Sequence, residues 1–226
     1  MIFPIYTHSE LERTSWVTYS LIALNILVFG WLRFLGADDA VMLYRFGYIP
    51  EDPSVISLFS YMFIHAGWIH LAGNLYFLWI FGRAVEDRLG PFGYALLYLS
   101  AGVVSVLIHS AVTLPEVMDV PCVGASGAIS GILGAFMIMF PGMKISSVVF
   151  LFGMRPVSVV QLPSFFVLGL WFVLQLIMHT ALGGIPVATG VAYGAHIGGF
   201  LYGWLIIGAL EGYRGLRREW EMLLWV

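Results

Sequence analysis

A serine, a histidine and an asparagine become informative when they sit where side chains are otherwise apolar. Three charge-free stretches of this sequence carry such residues. The first holds His70 and Asn74, with His65 at its edge. The second holds Ser126 and Ser130, and the third holds His196. A serine hydroxyl is a weak nucleophile until a base takes its proton, and a neutral imidazole suits that task near pH 7. The tetrahedral oxyanion that follows needs donors already in place. His70 and Asn74 can each offer a side-chain N–H. A Ser126 amide near a helix N-terminus would be unpaired, at the end where the dipole favours an anion. No acidic residue lies in these stretches, so the expected catalytic unit is a dyad without a carboxylate. Each residue also has a plainer role. A lone serine in an apolar helix often bonds back to a carbonyl one turn earlier. His70 and Asn74, at i and i+4, share one helical face and can simply hold helices together. Spacing alone leaves Ser126 and Ser130, one turn apart, both eligible as nucleophile.

Such residues act together only if their elements bring them to one place, and composition says what those elements are. Apolar residues make up 60% of the 226 and charged residues 10%, with a mean hydropathy of +0.92. Soluble domains carry about 25% charged residues, so this chain is expected to dissolve in lipid. A net charge of −3 offers nothing to nucleic acid. The single cysteine, Cys122, excludes an intrachain disulfide and a cysteine metal cluster. No metal site and no cofactor are expected.

Charged residues bound the apolar stretches, and a membrane helix needs about 20 residues. Six spans are predicted, at 15–34, 66–82, 92–113, 124–141, 163–182 and 191–210. The last two come from one long stretch, divided at Gly183, Gly184 and Pro186. The first is full-length, with no cleavage-site pattern after it, and reads as a retained helix. The fold class expected is an all-α bundle of six transmembrane helices in a single domain, 1–226. Eight basic residues (Arg13, Arg83, Arg88, Lys144, Arg155, Arg214, Arg217 and Arg218) fall on one side of these spans. Two, Arg33 and Arg45, fall on the other. The positive-inside rule then puts both termini in the cytoplasm. The mixed segment 35–60 is expected to lie in the membrane interface. Spans two, four and six all run inward from the outside, so their polar residues sit at similar depth. At 1.5 Å per residue, Ser126 and His196 lie roughly 3–8 Å below their helix ends. His109 and His179 fall near the outer ends of spans three and five and are expected at the interface.

Glycines supply the means of approach. Gly127, Gly131 and Gly134 recur at i, i+4 and i+7, and Gly199 and Gly203 follow His196 on its own face. Small-xxx-small faces let helix backbones pack closely, which would bring Ser126 and His196 within reach. The same packing is expected to leave little room beside Ser126, favouring a small substrate residue just before the cut. The inner halves of spans two, four and six are almost purely apolar, which argues against a transporter or channel.

At this point the sequence resembles the rhomboid family of intramembrane serine proteases. The resemblance is carried by HAGWIHLAGN (65–74), the GASG of GASGAISG (124–131), AHIGGFLYG (195–203) and VEDRLG (85–90), in order across nearly the whole chain. It implies Ser126 as nucleophile and His196 as base. It implies His70, Asn74 and the Ser126 amide as oxyanion donors. Gly199 and Gly203 match the close-packing face of the sixth helix, with Gly127 in the GxSG motif. Gly124 matches the residue opening that turn, and His65 a structural histidine. Two positions depart from the pattern. The first-loop Trp-Arg pair of some members is absent, Tyr44-Arg45 being nearest, and the aromatic residue that some members carry one turn after the nucleophile is here Ser130. The implied form is the minimal six-helix, prokaryotic-type one, a multi-pass protein of the prokaryotic cell membrane. Its implied partners are transmembrane protein substrates and the lipid bilayer. The alternative is a non-catalytic rhomboid-like protein that binds membrane clients. Such relatives typically lack the serine or the histidine, and both are present here.

Overall fold

A buried carboxylate organises the beginning of the bundle. In the computed structural model, which describes residues 2–9, 11–36, 38–151, 155–182 and 190–224, the chain starts with strand β1 (Ile2–Thr7) and then helix α1 (Trp16–Phe34). The carboxylate of Glu86 is only 3% exposed. It accepts from the Val17 amide (2.8 Å), the Thr18 amide (2.7 Å) and the Thr18 hydroxyl (2.7 Å). An anion at a helix N-terminus satisfies orphan amides and opposes the dipole, so this residue of the VEDRLG segment anchors α1.

The mixed segment after α1 folds into α2 (Asp39–Phe46), whose N-cap Asp38 accepts from the Val41 amide, and α3 (Ser57–Ser60), followed by a 3₁₀ turn, Tyr61–Phe63. Helix α4 (Trp68–Phe77) passes through a π turn (Leu78–Gly82) into α5 (Arg83–Val112) without interruption. The break comes at Gly90, with φ 75° and ψ 164°. Glycine alone adopts that conformation readily, and Pro91 follows it, preset for a helix's first turn. The 45-residue run is thus two rods, 68–89 and 91–112. Arg83, Glu86, Asp87 and Arg88, expected in a loop, ride on the end of the first rod instead.

Next come α6 (Ser126–Met139), strands β2 (Lys144–Leu151) and β3 (Arg155–Pro163), α7 (Ser164–Ala181) and α8 (Tyr193–Leu224). The strands correct the all-α expectation. β1, β2 and β3 form an antiparallel sheet in that order, with Phe3 opposite Val148 and Val148 opposite Val159. The KISSVVFL and RPVSVVQLP segments are rich in valine and isoleucine, which favour strands, and they pair antiparallel. The sheet caps the bundle at the C-terminal end of α6, away from Ser126. The Tyr76 hydroxyl donates to the Pro4 carbonyl (2.9 Å) and ties β1 to α4. Helix α8 also runs beyond the expected end at 210. Gly183, Gly184 and Pro186, taken to divide the last two spans, lie outside the described residues.

Among the described residues, four helical runs are long and apolar enough to cross a membrane: Trp16–Phe34, Trp68–Val112, Ser164–Ala181 and Tyr193–Tyr213. Helix α6 is apolar but only 14 residues long. It stands at the centre. Every residue from Gly127 to Phe136 is buried, between α5 on one side and α8 on the other. A Cβ on Gly203 would fall on the Gly131 carbonyl, one on Gly199 on the Gly127 carbonyl, and one on Gly134 on the Phe200 carbonyl. Backbone-to-backbone approach of this kind admits nothing larger than hydrogen.

Candidate active site

The turn before α6 is held from two sides. Tyr48 and Cys122 exchange backbone hydrogen bonds (2.9 and 2.8 Å), and the Gly124 amide donates to the Tyr61 carbonyl (2.8 Å). Burial pushes the Cys122 thiol up to about 12. Gly124 sits at φ 108°, and any side chain there would strike the His70 ring. Glycine is therefore required for both conformation and space. Two residues on, Ser126 opens α6 with no side-chain cap on the helix, so the amides of the first turn have no partner within the helix.

The Ser126 hydroxyl lies 2.8 Å from Nε2 of His196 on α8. The seam of glycines between α6 and α8 makes this possible. Ser130 has a different partner: its hydroxyl donates to the Ser126 carbonyl (2.7 Å), and the residue is 1% exposed. Of the two eligible serines, Ser126 is the one beside His196.

His70 and Asn74, on α4, face the same space as Ser126 and His196 across a cavity of about 700 Å³. The Asn74 side-chain amide donates one of its two hydrogens to the His70 carbonyl (2.9 Å), leaving the other available. The rest of the wall is mostly apolar and includes Ile69, Phe77, Val123, Ile129, Leu133 and Trp171. His65 is buried, its ring edge-on to His70 at 5.2 Å between centroids. Gly127, Gly131 and Gly199 turn away from the cavity, toward Ser105, Ala101 and the α6–α8 seam. They do not crowd Ser126, and the expectation of a small substrate residue loses its premise.

Two residues at the site were not singled out from sequence. Gln175 and Trp171 project from α7 onto His196. The Gln175 Oε1 lies 2.8 Å from His196 Nδ1, and the Trp171 ring stacks on the imidazole at 5.9 Å and 30°. A glutamine in an apolar helix was the available signal; the motif spacing contained nothing of it. His109 departs from its expected place at the interface. It is 2% exposed, with Nδ1 3.2 Å from the Thr113 hydroxyl. Gly194 lets α8 close over it, since a Cβ there would lie 3.1 Å from that ring nitrogen. His179 is half-buried.

The comparisons with known proteins agree with this architecture. A sequence model of the Rhomboid domain matches residues 52–212. Rhomboid protein 1, mitochondrial, of Saccharomyces cerevisiae is 31% identical over 232 residues, covering 96% of this chain and 60% of that protein. Rhomboid protease GluP of Bacillus subtilis is 39% identical over 127 residues, covering 53% of this chain and 24% of GluP. The human presenilin-associated rhomboid-like protein, mitochondrial, is 30% identical over 189 residues, covering 81% and 45%. The chain therefore spans 24% to 60% of the length of these relatives. Some relatives are mitochondrial and one is bacterial, so they indicate a membrane but not which one. With most of its length matched by the domain and its helices apolar enough to span a bilayer, the chain belongs to the rhomboid family of membrane proteins.

Proposed function

We propose that this chain is an intramembrane serine endopeptidase using a Ser126–His196 dyad. The observation that carries the reading is the 2.8 Å contact between the Ser126 hydroxyl and His196 Nε2, at the mouth of an uncapped helix and facing a large cavity. His196 takes the hydroxyl proton as Ser126 Oγ attacks the scissile carbonyl. The oxyanion is met by the Ser126 amide and by N–H groups of His70 and Asn74. His196 then hands its proton to the departing amine. Water enters, gives a proton to His196 and attacks the acyl carbonyl; the bond to Ser126 Oγ then breaks, and His196 returns the proton to that oxygen. Gly124, Gly127, Gly199, Gly203 and His65 support the geometry without touching the reacting atoms.

The rods 68–89 and 91–112, with α1, α6, α7 and α8, give the six crossings of this proposal, both termini being cytoplasmic. Arg83, Arg88 and Lys144 lie at the sheet end of the bundle and Arg33 and Arg45 toward the other, which supports that orientation. Depth follows from length. A 14-residue helix is about 21 Å long against a hydrocarbon core of about 30 Å. With its sheet end at the inner boundary, α6 starts roughly 9 Å below the outer one. The substrate is then a transmembrane protein, cut near the outer end of its spanning segment. A helix hides its carbonyls in the i→i−4 ladder, so that segment must unwind locally, and glycine or proline near the cut helps. A prokaryotic cell membrane is the location that goes with the six-helix form and with the likeness to GluP.

The test is cleavage of a single-span reporter in proteoliposomes, with products identified by mass spectrometry. An outer-end cut and fluorophosphonate labelling of Ser126 are expected. A cut at the inner end, or cleavage persisting in Ser126→Ala, rejects the reading. A reporter fused after Val226 is expected on the cytoplasmic side.

A further inference from the structure

A base must be held in the correct tautomer as well as at the correct distance. His196 can accept the Ser126 proton at Nε2 only if the ring's other proton is on Nδ1. In serine hydrolases a carboxylate usually secures this, and among the described residues no acidic side chain fills that role. Nδ1 instead meets Gln175 Oε1 at 2.8 Å. The amide's NH₂ group faces the Trp171 carbonyl one turn earlier at 3.5 Å, a long contact that favours nitrogen over oxygen on that side. With Oε1 toward His196, the amide is placed to accept from Nδ1–H in the tautomer that leaves Nε2 open to the Ser126 proton.

The placement on α7 has a cost that needs explaining. Only Ser164, Val167, Leu168 and Gln175 of this 18-residue helix are buried, and most of its surface is apolar and exposed. A glutamine in such a helix is unfavourable unless its polar atoms find partners. Both ends of this amide do. Trp171, on the same stripe, stacks on the imidazole. One turn after Ser126, α6 presents Ser130, whose hydroxyl is turned to the Ser126 carbonyl and not to the ring. The contacts that hold the base come from α7. The other titratable groups near the ring are His70 on α4, His109 on α5 and Tyr193 on its own helix. Among the described residues, none of these three has a hydrogen bond to Nδ1.

We infer that Gln175 is a positioning residue for His196, completing a Ser126–His196–Gln175 relay in which a neutral amide replaces the carboxylate. The inference rests on the protease reading. It predicts that the base is in register with Ser126 only while α7 is docked.

The experiment uses the full chain in detergent micelles and proteoliposomes. Gln175→Leu keeps the shape and removes the acceptor. Turnover should fall roughly 10-fold or more, as for one lost hydrogen bond to a buried group, with KM and thermal stability unchanged. Gln175→Glu keeps an acceptor oxygen in either protonation state and should restore most of the turnover. In the wild type, ¹⁵N spectra of labelled histidine, assigned by difference from His196→Ala, should show His196 protonated at Nδ1. Wild-type turnover in Gln175→Leu overturns the inference, as does an equal loss in Leu and Glu variants or an Nε2–H tautomer in the wild type. The spectrum decides the matter even if a variant fails to fold. Failure of the protease reading looks different: Ser126→Ala would still cleave, whatever residue 175 is.

Discussion

The two flanks of α6 differ in kind. Toward α5 and α8 it is sealed: glycine meets carbonyl, and residues 127–136 are all buried. Toward α4 and α7 it faces a cavity of about 700 Å³, and those two helices bury few residues of their own. The sealed flank fixes Ser126 against His196 to hydrogen-bonding precision. The open flank leaves a cavity and carries His70, Asn74, Trp171 and Gln175, the groups that the proposed mechanism sets against the substrate or the base. A site for a bulky, unwound substrate needs both, because packing tight enough to place a nucleophile excludes a polypeptide chain.

The largest expected effect comes from breaking the contact that the sealed flank creates. Ser126→Ala and His196→Ala should each lower cleavage of a transmembrane reporter by at least about 10⁴-fold, with the folded fraction unchanged. Retained cleavage in either would mean that the seam positions these residues for packing alone.

The open flank should show intermediate losses. Asn74→Ala and His70→Ala remove the proposed oxyanion donors, and each should cost about 10²–10³ in turnover with little change in stability. Wild-type rates in both folded variants would remove α4 from the chemistry.

Paired glycine substitutions then compare the flanks directly through thermal denaturation. Gly203→Ala places a Cβ on the Gly131 carbonyl and should destabilise by about 1–3 kcal/mol, as overpacking does. Gly73→Ala on α4 meets nothing within 4 Å and should stay within about 1 kcal/mol of wild type. Equal shifts would erase the distinction.

The smallest effect concerns the boundary between the flanks. Cys122 lines the cavity but belongs to the anchored turn, and burial raises its thiol to about 12. At pH 8 almost none is thiolate, the reactive form. Iodoacetamide should therefore leave it unmodified in the folded protein and alkylate it on denaturation. Rapid labelling of folded protein would show that the turn opens.

Much of this molecule is local in origin. Lipid solubility, the apolar rods and the facing glycines can be read from composition and spacing, since each rests on the residue's own chemistry or on a helical period. The spacing of Gly124, Ser126 and His196 likewise follows from motifs that span a few residues each. Charge-free length, however, marks where a chain can sit in lipid and not where a helix stops. Hence Arg83–Arg88 lie on a helix, and the turn waits for Gly90. The place of β1 was hidden because it pairs with a strand more than a hundred residues away, a partnership no local pattern encodes, whereas β2 and β3 carry a local strand signal in their valines. The choice of Ser126 over Ser130 at His196 likewise needed the rotation of α6 against α8. Gln175 is the clearest case. As a residue in an apolar helix it was merely polar; only the docking of α7 on α8 gave it the nitrogen of His196 for a partner. Side-chain chemistry and helical periodicity are properties of the chain, but which group faces which across a seam depends on how whole helices pack.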